Sequence, residues 1–101
     1  MARQFSSFRD FYPYYLAEHS DLTCRRLHFA GTSLVVAILA ITFFTQDIRW
    51  IILAPFAGYG FAWVGHFFFE KNKPATFTHP FYSFIGDWVM WKDMLTGKLE
   101  V

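Results

Sequence analysis

Four histidines, His19, His28, His66 and His79, are the residues of this chain best suited to chemistry near neutral pH. A neutral imidazole offers a nitrogen lone pair, and several that converge make a site for iron, zinc or copper. Their spacing matches no strong metal signature: there is no H-E-x-x-H, no H-x-x-H-H box and no C-x-x-C-H. Cys24 is the only cysteine, so neither an internal disulfide nor a cysteine zinc site can form. A nucleophile elbow and a glycine-rich phosphate loop are also absent. Glu70 follows His66 by four residues, one helical turn. Three roles stay open for it. It can be a metal ligand, completing a two-histidine, one-carboxylate set with open positions for oxygen and substrate. It can accept the outer N–H of a ligating imidazole, or pair with a nearby basic residue. Asp87 can bind or back a ligand in the same way, or pair with Arg25 or Arg26. Those two arginines set membrane topology or hold a lipid carboxylate or phosphate.

What positions these residues is a small apolar chain. Its 101 residues make one domain, 1–101. Hydrophobic residues are 54% and aromatics 23%, with 14 Phe, too many large apolar side chains for the interior of so small a soluble domain. Much of the surface therefore faces lipid or a second copy in a homo-oligomer. A net charge of +1 leaves no footprint for nucleic acid. Residues 1–26 carry polar, charged and aromatic residues throughout and show no signal-peptide cleavage pattern.

Two runs of 20 residues without a formal charge, 27–46 and 50–69, each span about 30 Å as a helix, the thickness of a hydrocarbon core. Ser20-Asp21 starts the first, and Thr45 to Arg49 forms the polar turn between them. The fold class is all-α: an integral membrane hairpin with transmembrane helices at about 22–45 and 50–72. Pro55 bends the second. On it Ala54, Gly58, Ala62, His66 and Glu70 recur every fourth residue, a face suited to close helix packing. Amphipathic interfacial helices flank the hairpin at about 7–18 and 80–96. Ser7 or Asp10 can cap the first, and Asp10 is favoured because it puts Pro13 in the first turn. Its Phe and Tyr residues suit the headgroup layer. Pro80 opens the last helix, Trp88 and Trp91 anchor it, and Gly97 stops it.

Counting from the hairpin tip gives depth. His28 lies 19 residues before Asp47 and His66 lies 19 after it, so the two rings sit at one level. His19 and His79 flank the hairpin at the same membrane edge. Of nine Lys and Arg, eight lie on the side of the termini (Arg3, Arg9, Arg25, Arg26, Lys71, Lys73, Lys92, Lys98) and only Arg49 at the tip. The positive-inside rule then puts both termini in the cytoplasm.

Three stretches carry a resemblance. They are Phe11 to His19 with Cys24 to Thr32, then Trp63 to Ala75 with its Gly-His-x-x-Phe-Glu-x-x-x-Pro-Ala pattern, then His79-Pro80 through Asp87. Together they resemble the membrane 2-hydroxy fatty acid dioxygenase family, once known only as a domain of unknown function. Its fungal members are endoplasmic-reticulum iron(II) enzymes of fatty acid α-oxidation, giving an acid one carbon shorter. The resemblance implies His19, His28, His66 and His79 as iron ligands and catalytic residues, with Glu70 as a partner. This chain is shorter than the fungal proteins, and it has Cys24-Arg25-Arg26 where the family commonly has Asn before Arg. The compact form is similar to the bacterial branch, which implies an inner-membrane location.

The first functional reading is a membrane-embedded iron(II) dioxygenase using molecular oxygen on a 2-hydroxy fatty acid, with Arg25 and Arg26 on its carboxylate. The second is a non-catalytic metal- or lipid-binding module in which the histidines hold structural zinc. The third is a membrane-shaping hairpin, which leaves the histidine placement unexplained.

Overall fold

The hydroxyl of Ser7 accepts the Asp10 amide hydrogen at 3.2 Å and starts helix α1 (Phe8–Ala17). Ser7, not Asp10, is therefore the cap. Asp10 becomes a first-turn acid, favourable beside the helix N-terminus, and its carboxylate accepts from Ser6 at 2.6 Å. Pro13 consequently falls inside the helix, at an exposed position. The computed structural model describes residues 5–99; Arg3, counted above among the basic residues, lies outside them.

Helix α2 (Leu22–Thr45) begins where the sequence places it, with Asp21 Oδ1 accepting the Cys24 amide at 2.9 Å. Its 24 residues extend for about 36 Å. Gln46, in the left-handed conformation at φ 56°, ends it. Asp47 then accepts the Arg49 amide at 3.1 Å and pairs with its guanidinium at 2.8 Å, holding the tip. The return limb changes winding twice. It runs as 3₁₀ over Ile48–Ile52, as helix α3 over Leu53–Val64 and as a π-helical turn over Gly65–Glu70. Pro55 sits in the first turn of α3, where its missing N–H costs no helical bond, and the expected bend takes the form of the tighter 3₁₀ entry. Both limbs, Leu22–Thr45 and Ile48–Glu70, are long and apolar enough to cross a membrane. The second lies two residues earlier than the sequence suggests, because Asp47 caps it and Lys71, at φ 62°, ends it.

Helix α4 (Pro80–Leu95) has Pro80 in its first turn, and Gly97 follows it at φ 87°. Among the described residues there is no strand. Helices α2 and α3 come close at Gly31, where a Cβ would lie 2.8 Å from Phe61 Cβ and 3.1 Å from the Ala57 carbonyl oxygen. Of the small residues on the expected face of α3, Ala62 is buried and a Cβ on Gly58 would lie 3.4 Å from Val35 Cγ2 of α2.

The principal core lies where the sequence suggests a headgroup layer. Phe11 and Tyr15 of α1 are fully buried with Met90 and Met94 of α4 and with Ala75. Helix α1 presents those two aromatics, one turn apart, to α4, while Tyr12 on the same helix bonds Asp93 through its hydroxyl at 2.7 Å. Helix α4 also reaches α2, with the Trp91 indole N–H donating to Ser33 Oγ at 2.9 Å. Thus α1 and α4 clasp one end of the hairpin.

Candidate metal centre

His19 follows α1 directly, and its amide closes the helix end on the Leu16 carbonyl at 3.0 Å. Its ring stacks on Tyr15, with centroids 4.1 Å apart. His28 stands in the second turn of α2, and His66 in the π-helical turn. That wide turn packs tightly against α2: a Cβ on Gly65 would meet Cys24 Sγ at 3.0 Å. Single π-helical turns often occur at functional sites, because the extra residue per turn re-aims a side chain.

The three rings meet. His66 Nε2 lies 2.9 Å from His19 Nε2 and 3.1 Å from His28 Nε2. His19, His28 and His66 are 1%, 5% and 1% exposed. The outer nitrogens explain why the inner ones face each other. The Tyr15 carbonyl can only accept, so His19 Nδ1–H donates to it at 2.6 Å. Asn72 Nδ2 donates to the Glu18 carbonyl at 3.1 Å, which fixes the amide and turns its Oδ1 to accept from His66 Nδ1–H at 2.7 Å. His28 Nδ1 faces the Asp87 carboxylate, 3.9 Å away. Protons on Nδ1 of His19 and His66 leave lone pairs on their Nε2 atoms, and these two point at one another.

Two facing lone pairs at such distances repel unless a cation stands between them. Two nitrogens each about 2.1 Å from one ion are about 3.0 Å apart at an octahedral angle and about 3.4 Å apart at a tetrahedral one. The His66 separations of 2.9 and 3.1 Å lie near the first value, and all three candidate ligand atoms lie within 4.8 Å of one another. A cavity of about 10 Å³ adjoins the cluster, lined by the three histidines with Ala62, Pro74 and Asp87 among others. That is room for one ion or one water. These three histidines can hold a metal ion.

The electrostatics agree. Burial, and next the neighbouring His66, hold His19 down at about 3, so its ring is neutral and ready to ligate at pH 7. Burial pushes the Asp87 carboxyl up to about 6, although the Tyr15 hydroxyl that hydrogen-bonds it pulls the other way. The Tyr15 hydroxyl is itself raised, by burial first and then by Asp87. Tyr15 therefore touches His19 through its ring and carbonyl, and its hydroxyl holds Asp87, which faces His28 at 3.9 Å. Gly86 makes the room, since a Cβ there would lie 3.0 Å from the Tyr15 ring.

The other residues singled out from sequence lie elsewhere. The His79 ring packs 5.2 Å from Phe5 and 5.4 Å from Phe11, with Nδ1 2.8 Å from Thr78 Oγ1. It stands apart from the three-histidine group. Glu70 turns to the start of α2, accepting from Ser20 Oγ and from the Asp21 amide, both at 2.7 Å. It ties the end of the return limb to the cap of α2. Arg26 is exposed; Arg25 is half-buried, and its buried Nε has no hydrogen-bond partner among the described residues. Sequence reasoning gave no role to Asn72, Tyr15 or Gly86. The one available signal was that Asn72 is an uncharged amide between Lys71 and Lys73, just beyond the π-helical turn.

A larger space opens beside the cluster. It is an apolar groove of about 340 Å³ between α2, the return limb and α4. His28, Tyr59 and Asp87 line both the groove and the small cavity, so the two share a wall. Pockets of this size bury drug-sized ligands.

The model of one protein family matches residues 5–99, and its description is 2-hydroxy-palmitic acid dioxygenase Mpo1-like. No curated protein and no solved structure matches the chain.

Proposed function

The chain belongs to the 2-hydroxy-palmitic acid dioxygenase Mpo1-like family, and on that premise we propose that it is a membrane-embedded iron(II) dioxygenase of 2-hydroxy fatty acids. The observation that carries this is the junction at His28 and Asp87, where an ion-sized cavity among three imidazoles borders an apolar groove. Three protein ligands suit a catalytic site, because structural zinc is almost always closed by four and catalytic centres keep an open position.

His19, His28 and His66 would hold the ion, and iron there would supply the redox chemistry with oxygen that zinc lacks. The chain's own residues do the rest. Tyr15, Asn72 and Asp87 fix the ring orientations from behind. Arg25, with its unpaired buried Nε, attracts the substrate carboxylate to the edge of the cluster, and Arg26 adds charge at the surface. The burial of the three rings keeps bulk water off the reacting end. The overall change balances as a 2-hydroxy acid plus one oxygen molecule giving the acid one carbon shorter, carbon dioxide and water. Both limbs of the hairpin cross the bilayer, and the basic residues near the termini keep that side cytoplasmic. A fatty acid's polar end rests at the same depth as the cluster.

The test is protein purified anaerobically without chelators, analysed for metals and then given 2-hydroxypalmitate and oxygen. About one iron per chain, oxygen uptake and pentadecanoate are expected. Bound zinc with no oxygen uptake would favour the second reading, a structural metal module. Absence of both metals would sink both.

A further inference from the structure

The groove has a polar end and an apolar end. His28 and Asp87 stand at the first, and Leu39 and Ile51 at the second. Along α2, the lining residues His28, Val35 and Leu39 fall on one face, at intervals of seven and four. The floor is made by α3 at Ala54 and Gly58, two of its small residues. With no side chain at Gly58 the groove stays open at half depth.

Resting on the dioxygenase reading, we infer that this groove is the acyl-chain site and a length gauge, with Gly58 as its gate and Leu39 and Ile51 as its foot. The occupant is the substrate's own alkyl tail, because the polar end of the groove shares its wall with the metal cavity. From His28 to Leu39 the helix rises about 16 Å, which accommodates an extended chain of about 13 carbons beyond the reacting end. Substrates of about 14 to 16 carbons in all then fill it. Val35 and Gly58 face each other at mid-depth, since a Cβ on Gly58 would touch Val35 Cγ2 at 3.4 Å. That is ordinary contact, so a larger residue there projects into the groove rather than against backbone. This level is about 10 Å below His28, or about 8 carbons.

The test compares wild type with Gly58→Leu and Leu39→Ala. Gly58→Leu also replaces glycine within a helix, which favours folding. A ladder of 2-hydroxy fatty acids from about 8 to about 20 carbons is used, bracketing the ~13-carbon groove. Two readouts are taken: displacement of a fluorescent fatty acid from metal-free protein, and product formation by iron-loaded protein. Wild type should bind best near 14 to 16 carbons (roughly, from the helix rise). Gly58→Leu should weaken long chains by roughly fourfold per methylene left unburied, about a thousandfold for chains that lose about five, and spare the shortest. Leu39→Ala should shift the optimum upward by about two carbons. If both variants keep the wild-type length profile, the gauge is overturned, whatever the turnover. If turnover is absent in all three proteins but Gly58→Leu still cuts long-chain binding, the gauge stands and the dioxygenase reading falls. Phospholipid that co-purifies and is displaced by no fatty acid also overturns the gauge.

Discussion

At the end near the chain termini, the hairpin is clasped by α1 and α4; at the tip it stands alone. Around the cluster Phe11, Tyr15 and Met90 are fully buried, and the outer nitrogens of His19 and His66 are hydrogen-bonded. At the tip Phe43, Phe44, Ile48 and Ile52 are 68%, 80%, 69% and 66% exposed. Both regions are rich in large apolar side chains, so composition does not distinguish them. The difference lies in what the side chains must do. Near the termini they hold three rings within a few tenths of an ångström of a metal-binding arrangement. At the tip they are exposed, and no packed neighbour constrains their shape. One chain thus contains a jigsaw and an uncovered stalk.

The largest test of that contrast is His66→Ala, which removes the ring that touches both others. Metal content measured by elemental analysis should fall by more than about a hundredfold in affinity, while Phe44→Ala at the tip should leave it unchanged. Equal metal in both proteins would erase the distinction. Next comes Asn72→Ala, which frees the His66 ring to rotate without removing a ligand. Metal affinity should drop about 10- to 100-fold, read by competition with a chelator. Third, Gly31→Leu forces a side chain against Phe61 and the Ala57 carbonyl and should cost about 1–3 kcal/mol in a denaturation series in detergent. A Cβ on Gly60 meets nothing within 4 Å, so Gly60→Ala should be neutral or should gain up to about 1 kcal/mol. The smallest effect concerns pH in the metal-free protein. His19 has a folded pKa of about 3, below its unfolded 6.5, so the unfolded chain binds the proton first. Its stabilising contribution is complete above 6.5 and is lost as pH falls toward 3. Asp87, raised from 3.8 to about 6, acts in the opposite sense: its contribution is complete below 3.8 and lost as pH rises through 6. Between pH 3.8 and 6 the two oppose each other, so stability should change little with pH in wild type and should fall as pH rises in His19→Gln, where Asp87 acts alone. An unchanged slope would remove His19 from the account.

Much of this was legible in the sequence, and for local reasons. Uncharged runs of membrane length marked both limbs, and Asp21, Pro80 and Gly97 act where their backbone preferences say. Equal counting from Asp47 placed His28 level with His66, because an antiparallel hairpin converts sequence distance into depth. The failures are all matters of which surface covers which. The aromatics of α1 look interfacial in isolation, but α4 covers two of them. Ala54 and Gly58 look like the start of a packing stripe, but both line the groove, while Ala62 and His66, next in the row, are buried. Asn72 meets His66 because the loop after the π-helical turn doubles back, with the Asn72 amide on the His66 carbonyl at 3.0 Å. No periodicity announces such a path. Glu70 one turn after His66 suggested a shared face, yet the π-helical turn rotates it away to Ser20 and Asp21.

The Asn72 side chain holds Glu18 with one arm and His66 with the other, so it joins the segment before the hairpin to the segment after it. During synthesis, which proceeds from the N-terminus, His19 and His28 emerge first and offer only two imidazoles. The third arrives after the tip has turned, and Asn72 and Asp87 arrive later still. Metal loading would thus be an end-of-line event: a chain stalled anywhere before the loop following the second limb carries no finished site, and an ion bound by the three histidines would report that both limbs have been made and brought together.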